Sequence, residues 1–262
     1  MLEQRVVTAL MLVAVLVLIL FFLPAIYAVV TFALIAALAA WEWSRLASSS
    51  RPSRVLFPLW ILACCGLCLF YPRWQLLLCV VAAGFWLLAP FWLARCWTLP
   101  HGLIAYLVGT IVLVPAWIGM VRLHAVGPWT LLAVMALVWA ADIAAYFSGR
   151  AFGRHKLAPA ISPGKTWEGA VGAAVGGLAY VFLLRQYTSL SVPANVALLV
   201  LGVVLLVAVS IVGDLFESMI KRQAGVKDSS QLLPGHGGIL DRIDSLTSTL
   251  PVLVAVSSFW QA

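Results

Sequence analysis

Apolar runs close to twenty residues long recur from residue 6 to the end of the chain, broken only by short stretches of proline, glycine or charge. A helix needs about 20 such residues to cross the hydrocarbon core of a bilayer. Of the 262 residues, 64% are hydrophobic and 10% are charged, whereas a soluble domain has about a quarter charged. The chain therefore reads as an all-α polytopic membrane protein with no room for a large soluble domain. Arg5 to Leu23 reads as an uncleaved first helix: its apolar run is longer than a typical signal core, despite the cleavage-like "AIYA" at 25–28. The cysteine cluster Cys64, Cys65 and Cys68 lies in mid-run with no histidine or carboxylate nearby, and reads as packing rather than a metal or redox motif.

Periodicity and breakers give nine transmembrane helices, at about 6–23, 25–41, 55–71, 76–94, 102–121, 128–147, 167–185, 194–216 and 246–260. The link at Pro24 is tight enough to allow a re-entrant hairpin instead. With the N-terminus cytoplasmic and the C-terminus outside, thirteen of the sixteen Lys and Arg residues fall on the cytoplasmic side. Only Arg73, Arg122 and Arg185 fall outside. Such a bias is the expected orientation signal. All nine acidic residues lie at or near the cytoplasmic side in this arrangement, seven of them in the second half. Residues 1–125 thus read as scaffold helices and 126–262 as the catalytic transmembrane region, with its site at the cytoplasmic edge.

Four helix ends carry polar stripes. "GDLFESMIKRQ" places Asp214, Glu217, Ser218, Lys221 and Arg222 on one helical face, and "DRIDSLTS" does the same for Asp241, Asp244, Ser245 and Ser248. "KTWEGAVG" opens a helix with Lys165, Thr166 and Glu168, and Asp142 sits inside the sixth span. One stripe alone would be a solvated helix end. A carboxylate within the membrane costs about 2.5–3.5 kcal/mol on insertion scales, so four stripes at similar depth point to a shared site. Asp241, Asp244, Asp214 and Asp142 form a hard-oxygen set suited to Mg²⁺, which takes one or two carboxylates and completes its shell with water and phosphate. Zinc is disfavoured, since His236 is the one histidine near. Lys221, Arg222, Lys227 and Arg242 surround the acids, and Gly235, Gly237 and Gly238 let backbone N–H groups approach a ligand. Acids for a metal and bases for phosphates are what a metal–polyphosphate complex requires. "PGKT" is not a P-loop, because that motif needs glycine where Pro159 stands, but a helix start at Lys165 and Thr166 can still meet phosphate.

The stretch "SMIKRQAGVKDSSQLLPGHGGILDRIDS" closely resembles the signature of the phosphatidate cytidylyltransferases, also called CDP-diacylglycerol synthases. Ser218, Lys221, Arg222, Lys227, Asp228, Pro234, His236, Gly237, Gly238, Asp241, Arg242 and Asp244 all match it, and "SPGKTWEG" is similar to the family's other recurring element. The likeness covers about residues 128–250. It implies an Mg²⁺-dependent nucleotidyltransferase, with a second cation as an option, that makes CDP-diacylglycerol and pyrophosphate from CTP and phosphatidic acid. On that reading Asp214 and Asp241 hold the metal with the CTP phosphates, Asp244 is a further ligand or an orienting group, and Asp142 is another cation contact. Lys221, Arg222, Lys227 and Arg242 hold the nucleotide and lipid phosphates. Ser218, Asp228, His236, Gly237 and Gly238 support the substrates, and Lys165 and Thr166 are further phosphate contacts, with Glu168 orienting Lys165. The resemblance also implies a bacterial cytoplasmic (inner) membrane, a site facing the cytoplasm, membrane lipids as partners and no nucleic acid. Gly172 and Gly176 suit tight helix packing, either within the chain or in a homodimer. A CTP-dependent polyprenol or phytol kinase is the neighbouring alternative. A secondary transporter is the rival from another class, but its site would lie near the midplane of repeated halves, and the chain shows neither.

Overall fold

The computed structural model describes residues 2–47, 51–188 and 195–260. Residue 194, where the eighth span was expected to open, and the side chains of Glu3 and Arg5 lie outside what is described. Nine α-helices follow one another among the described residues. They are α1 (Leu2–Val17), α2 (Ala25–Ala47), α3 (Ser53–Phe70), α4 (Arg73–Ala94), α5 (Leu103–Val126), α6 (Pro128–Phe152), α7 (Trp167–Tyr187), α8 (Val196–Gln223) and α9 (Leu240–Trp260). Helix α1 runs on as a π-helical turn, Leu18–Phe22, before Pro24. The seven helices α2 to α8 are long and apolar enough to cross a membrane, and Val6–Phe22 is a shorter apolar helix. Helix α9 opens with Asp241, Arg242 and Asp244, and its apolar run begins only at Leu246.

The chain is not purely helical. Between α6 and α7 lies a small antiparallel hairpin, β1 (Lys156–Ala158) and β2 (Ser162–Thr166), with Ala158 opposite Ser162. Ala158 and Ser162 each precede a proline, and that position is pushed out of the helical region into extended backbone. Lys165 and Thr166 stand at the helix start, as expected, and also end a strand. Thr166 is the N-cap of α7, its Oγ1 accepting the Gly169 N–H at 3.1 Å.

One large apolar core draws on both halves of the chain, with Trp43, Phe57, Trp86 and Trp117 meeting Phe216, Leu246 and Leu250. A smaller cluster joins α6, α7 and the first half of α8 through Leu137, Ala173, Val181 and Val203. Buried indoles find acceptors across helices. Trp43 Nε1 donates to Ala105 O at 2.9 Å, pinning α2 to α5. Trp86 Nε1 donates to Thr247 O at 3.1 Å. That carbonyl lacks its usual partner because Pro251, four residues on, has no N–H. A tryptophan on α4 thus satisfies the acceptor that a proline in α9 leaves open. Helices α6 and α7 pack closely through glycine: a Cβ at Gly172 would collide with Ser148, and one at Gly176 with Ala144. This small-residue pair is therefore used within the chain and supplies no argument for a second copy.

Candidate active site

The charged face of α8 divides between two neighbours. Asp214, one turn below Ser218, accepts that residue's hydroxyl at 3.3 Å and pairs with Lys165 at the end of β2, Nζ to Oδ2 2.5 Å. Lys221, two turns further on, is buried. Its Nζ lies 3.3 Å from Glu217 Oε1 on its own helix and 2.6 Å from Asp241 Oδ1 on α9. The one-face periodicity thus serves two partner elements at once, the hairpin and the next helix.

Asp241 and Asp244, expected to face one cation, both lie within electrostatic reach of Lys221 and Glu217 but take different hydrogen-bond partners. The Oδ1 of Asp241 takes Lys221, while its Oδ2 accepts the Ser229 N–H at 2.9 Å, the Ser229 hydroxyl at 2.8 Å and the Gly238 N–H at 2.7 Å. Both carboxylate oxygens meet protein donors, as both do in Asp214, and Asp241 thereby anchors Lys221 and the loop. Asp244 turns toward α8 and α6: it lies within electrostatic reach of Asp214 and Glu217, and Asp142 on α6 lies within reach of Asp214, Asp244 and Lys165. Three helices therefore bring Asp142, Asp214 and Asp244 within electrostatic reach of one another, in a cleft where Asp142 is the exposed member.

The loop from 224 to 239 is held by a carboxylate that sequence reasoning left at a cytoplasmic helix end. Glu42, on α2, is 0% exposed. It accepts the Ser230 hydroxyl at 2.5 Å, the Ser229 hydroxyl at 3.0 Å, and the N–H groups of Ile239 and Leu240 at 3.0 and 2.6 Å. Leu240 is the first residue of α9, so Glu42 places a negative charge on that helix's unpaired N-terminal amides. Ser229 has one hydroxyl proton and two carboxylates to serve, Glu42 and Asp241, which locks the three groups into one unit. The signal for Glu42 was in the sequence: a lone carboxylate in "AAWEWS" at the end of an apolar run.

The glycine loop works differently from the expectation that its amides would face a ligand. Gly235 and Gly237 have φ of +76° and +79°, in the left-handed region that favours glycine. They close a turn in which the N–H of His236 donates to Leu233 O and that of Leu233 to Gly237 O. A Cβ at Gly238 would run into Ser229 Oγ and the Glu42 carboxylate. The amides of Gly238, Ile239 and Leu240 are thus turned to Asp241 and Glu42. His236 keeps a buried Nδ1 without a hydrogen-bond partner. The Thr8 hydroxyl on α1 donates to Pro234 O at 3.0 Å, tying the first helix to the same turn.

The remaining expected residues fall into two groups. Arg222, Lys227, Asp228 and Arg242 are exposed around the rim. Thr166 is buried with its hydroxyl engaged as a cap, and Glu168 holds His155, at 2.7 Å from Nδ1 and 3.2 Å from the main-chain N, rather than orienting Lys165. Beside the hairpin, α6 and α7 leave an apolar groove of about 800 Å³, lined by Phe147, Phe152, Trp167, Val171 and Val175.

The cleft has the charge balance of a cation site. Among the described residues, Asp142, Asp214, Glu217, Asp241 and Asp244 lie near Lys165 and Lys221, so carboxyl groups outnumber lysines. Buried Glu217 has the Lys221 ammonium 3.3 Å from its Oε1 and Asp244 as its other neighbour. Among the described residues, no three His, Cys, Asp or Glu side chains are grouped closely enough to hold a metal ion by themselves. This donor set fits a hard cation whose shell is completed by water and phosphate, as Mg²⁺ prefers. It does not fit a cation held by protein ligands alone.

A profile of the cytidylyltransferase family matches residues 3–260 of the chain. The phosphatidate cytidylyltransferase of Pseudomonas aeruginosa is 41% identical over 279 aligned positions, covering 100% of this chain and 98% of that protein. That of Haemophilus influenzae is 38% identical over 282 positions, covering 96% of each. The Brucella suis protein of the same name is 49% identical over 124 positions, covering 47% of this chain and 45% of its own length.

Proposed function

The chain belongs to the cytidylyltransferase family, and on that premise we propose that it is a phosphatidate cytidylyltransferase of the membrane, converting CTP and phosphatidic acid to CDP-diacylglycerol and pyrophosphate. The observation that carries this reading is the cleft where Asp142, Asp214 and Asp244 from three apolar helices meet Lys165. Carboxylates this costly to place in apolar helices mark a functional site.

In the reaction, a phosphate oxygen of phosphatidic acid bonds the α-phosphorus of CTP. The bond from that phosphorus to the α–β bridging oxygen breaks, and pyrophosphate departs with the electron pair. The nucleophile is already anionic, so it needs little help from a base. The protein's contribution is alignment and charge neutralisation. Lys165, held by Asp214, is placed to meet phosphate. Lys221 is fixed between Glu217 and Asp241, and Arg222 and Arg242 offer further exposed cations. Asp214 and Asp244, with Asp142 beside them, are the residues that would hold Mg²⁺, and the excess of carboxylates leaves charge for a second cation. When bound, the metal would offset the charge of the polyphosphate. Asp241 belongs to the same set and also positions Lys221 and the loop.

The apolar groove beside the hairpin suits the acyl chains of a lipid substrate that stays in the bilayer, while CTP arrives from the aqueous side. The distribution of Lys and Arg supports nine spans with the N-terminus in the cytoplasm, the C-terminus outside and the cleft facing the cytoplasm, in a bacterial inner membrane. The decisive assay supplies purified protein with CTP, phosphatidic acid and Mg²⁺ and follows pyrophosphate release. A folded preparation that releases none above background would overturn the reading.

A further inference from the structure

A second polar cavity, of about 540 Å³, lies where the end of α2, the start of α3 and the segment after α8 meet. That volume is within the range of about 300–1,000 Å³ typical of small-molecule sites. Its charged lining is Arg45, Arg54 and Lys227 against the single carboxylate Asp228. Ser229 and Ser230 form another part of the wall, and Glu42 holds both hydroxyls. The wall is therefore fixed before any ligand arrives.

Among the described residues the three cations form no ion pair: no carboxylate lies within ion-pair distance of Arg45, Arg54 or Lys227. The Nε of Arg54 is buried without a hydrogen-bond partner. The guanidinium of Arg45 stacks over the Trp41 ring, 4.8 Å from its centroid, which sets its plane and leaves its edge free to donate. Two guanidinium groups and an ammonium converging on one cavity repel one another and leave donors unmet unless an anion joins them. Forked guanidinium donors match phosphate oxygens in geometry.

We propose that this cavity is a phosphate-binding site, in which Arg45, Arg54 and Lys227 hold a phosphate-bearing anion. Two of the three cations come from the half of the chain whose sequence suggested only scaffold. The shared chemistry is a phosphate group, and it can be supplied by a soluble polyphosphate such as the nucleotide or by the headgroup of an anionic phospholipid. The inference rests on the cavity and its charges, and it does not depend on the reading of the reaction.

The test measures binding of pyrophosphate and of CTP to the full-length protein in phosphatidylcholine nanodiscs. No phosphatidic acid is present, and a chelator suppresses metal-dependent binding at the acidic cleft. A parallel arm compares nanodiscs with and without phosphatidylglycerol. In each arm arginine modification by phenylglyoxal is mapped by mass spectrometry at Arg45 and Arg54. Protection by the soluble anions identifies the site as one for polyphosphate, and protection only in the anionic bilayer identifies it as a headgroup site. In the arm that protects, R45Q/R54Q should weaken binding by about ten-fold or more. The mapping is done on the unaltered protein, so a variant that fails to fold leaves the test intact. If neither source protects the two arginines, the proposal is overturned and the patch is a solvated face. Loss of CTP turnover with protection intact would sink the function above and not this site. Normal turnover with no protection would sink this site alone.

Discussion

Glu42 takes four hydrogen bonds, two from side chains and two from main-chain amides at the head of α9. A Glu42→Gln substitution keeps the shape but replaces one acceptor oxygen with a donor that faces other donors. Each buried group left unmet costs about 1–3 kcal/mol. The variant should therefore melt at lower temperature and lose most pyrophosphate release, and a wild-type melting curve would contradict the role assigned to Glu42. For Asp214 and Lys165, the 2.5 Å pair predicts coupled rather than independent losses. Asp214→Asn and Lys165→Met should each reduce turnover strongly, and the double variant should lose little more than the worse single one. Multiplying losses would show that the two side chains act separately. The acids of the cleft were legible in the sequence because carboxylates are conspicuous in apolar helices. Their partners were not: a spacing of three places Asp241 and Asp244 on one helical side, but it says nothing of Ser229, Gly238 and Lys221, which bind the Asp241 carboxylate.

At the scale of the element, helix positions followed closely from apolar run length, and α2 to α8 begin or end within several residues of the expected spans. The hairpin β1–β2 was missed because "KTWEG" reads as a helix start, while the extended bias of Ala158 and Ser162 acts one residue before each proline. The contact of Trp86 with Thr247 could not be read either, since nothing in the sequence says which indole meets the carbonyl opened by Pro251. Trp86→Phe retains the ring and removes the donor. It should lower thermal stability by about 1–3 kcal/mol with the assembly otherwise intact. Adding Pro251→Ala, which restores the helical N–H, should recover part of the loss. If the second change gives no recovery, the proline is not the origin of the open carbonyl. Gly172→Leu should separate α6 from α7 through Ser148 and displace the hairpin bearing Lys165, so both stability and turnover should fall.

For the whole molecule, thirteen basic residues on one side predict its orientation in the membrane. Cysteine labelling from outside should reach a cysteine introduced near Arg73 or Arg122 and fail to reach one placed near Arg222 until the membrane is opened. The reverse pattern would invert the topology. The sequence suggested two halves with different duties, whereas the large core unites α2, α4 and α5 with α8 and α9. The role of Glu42 also sets an order of assembly. Helix α2 leaves the ribosome long before the loop at 224–239 or the head of α9 exists, so its carboxylate waits unpaired until the last helix arrives. Residues 126–262 grafted behind foreign helices without a glutamate at this place would carry every charged residue of the signature and still lack the group that holds its loop.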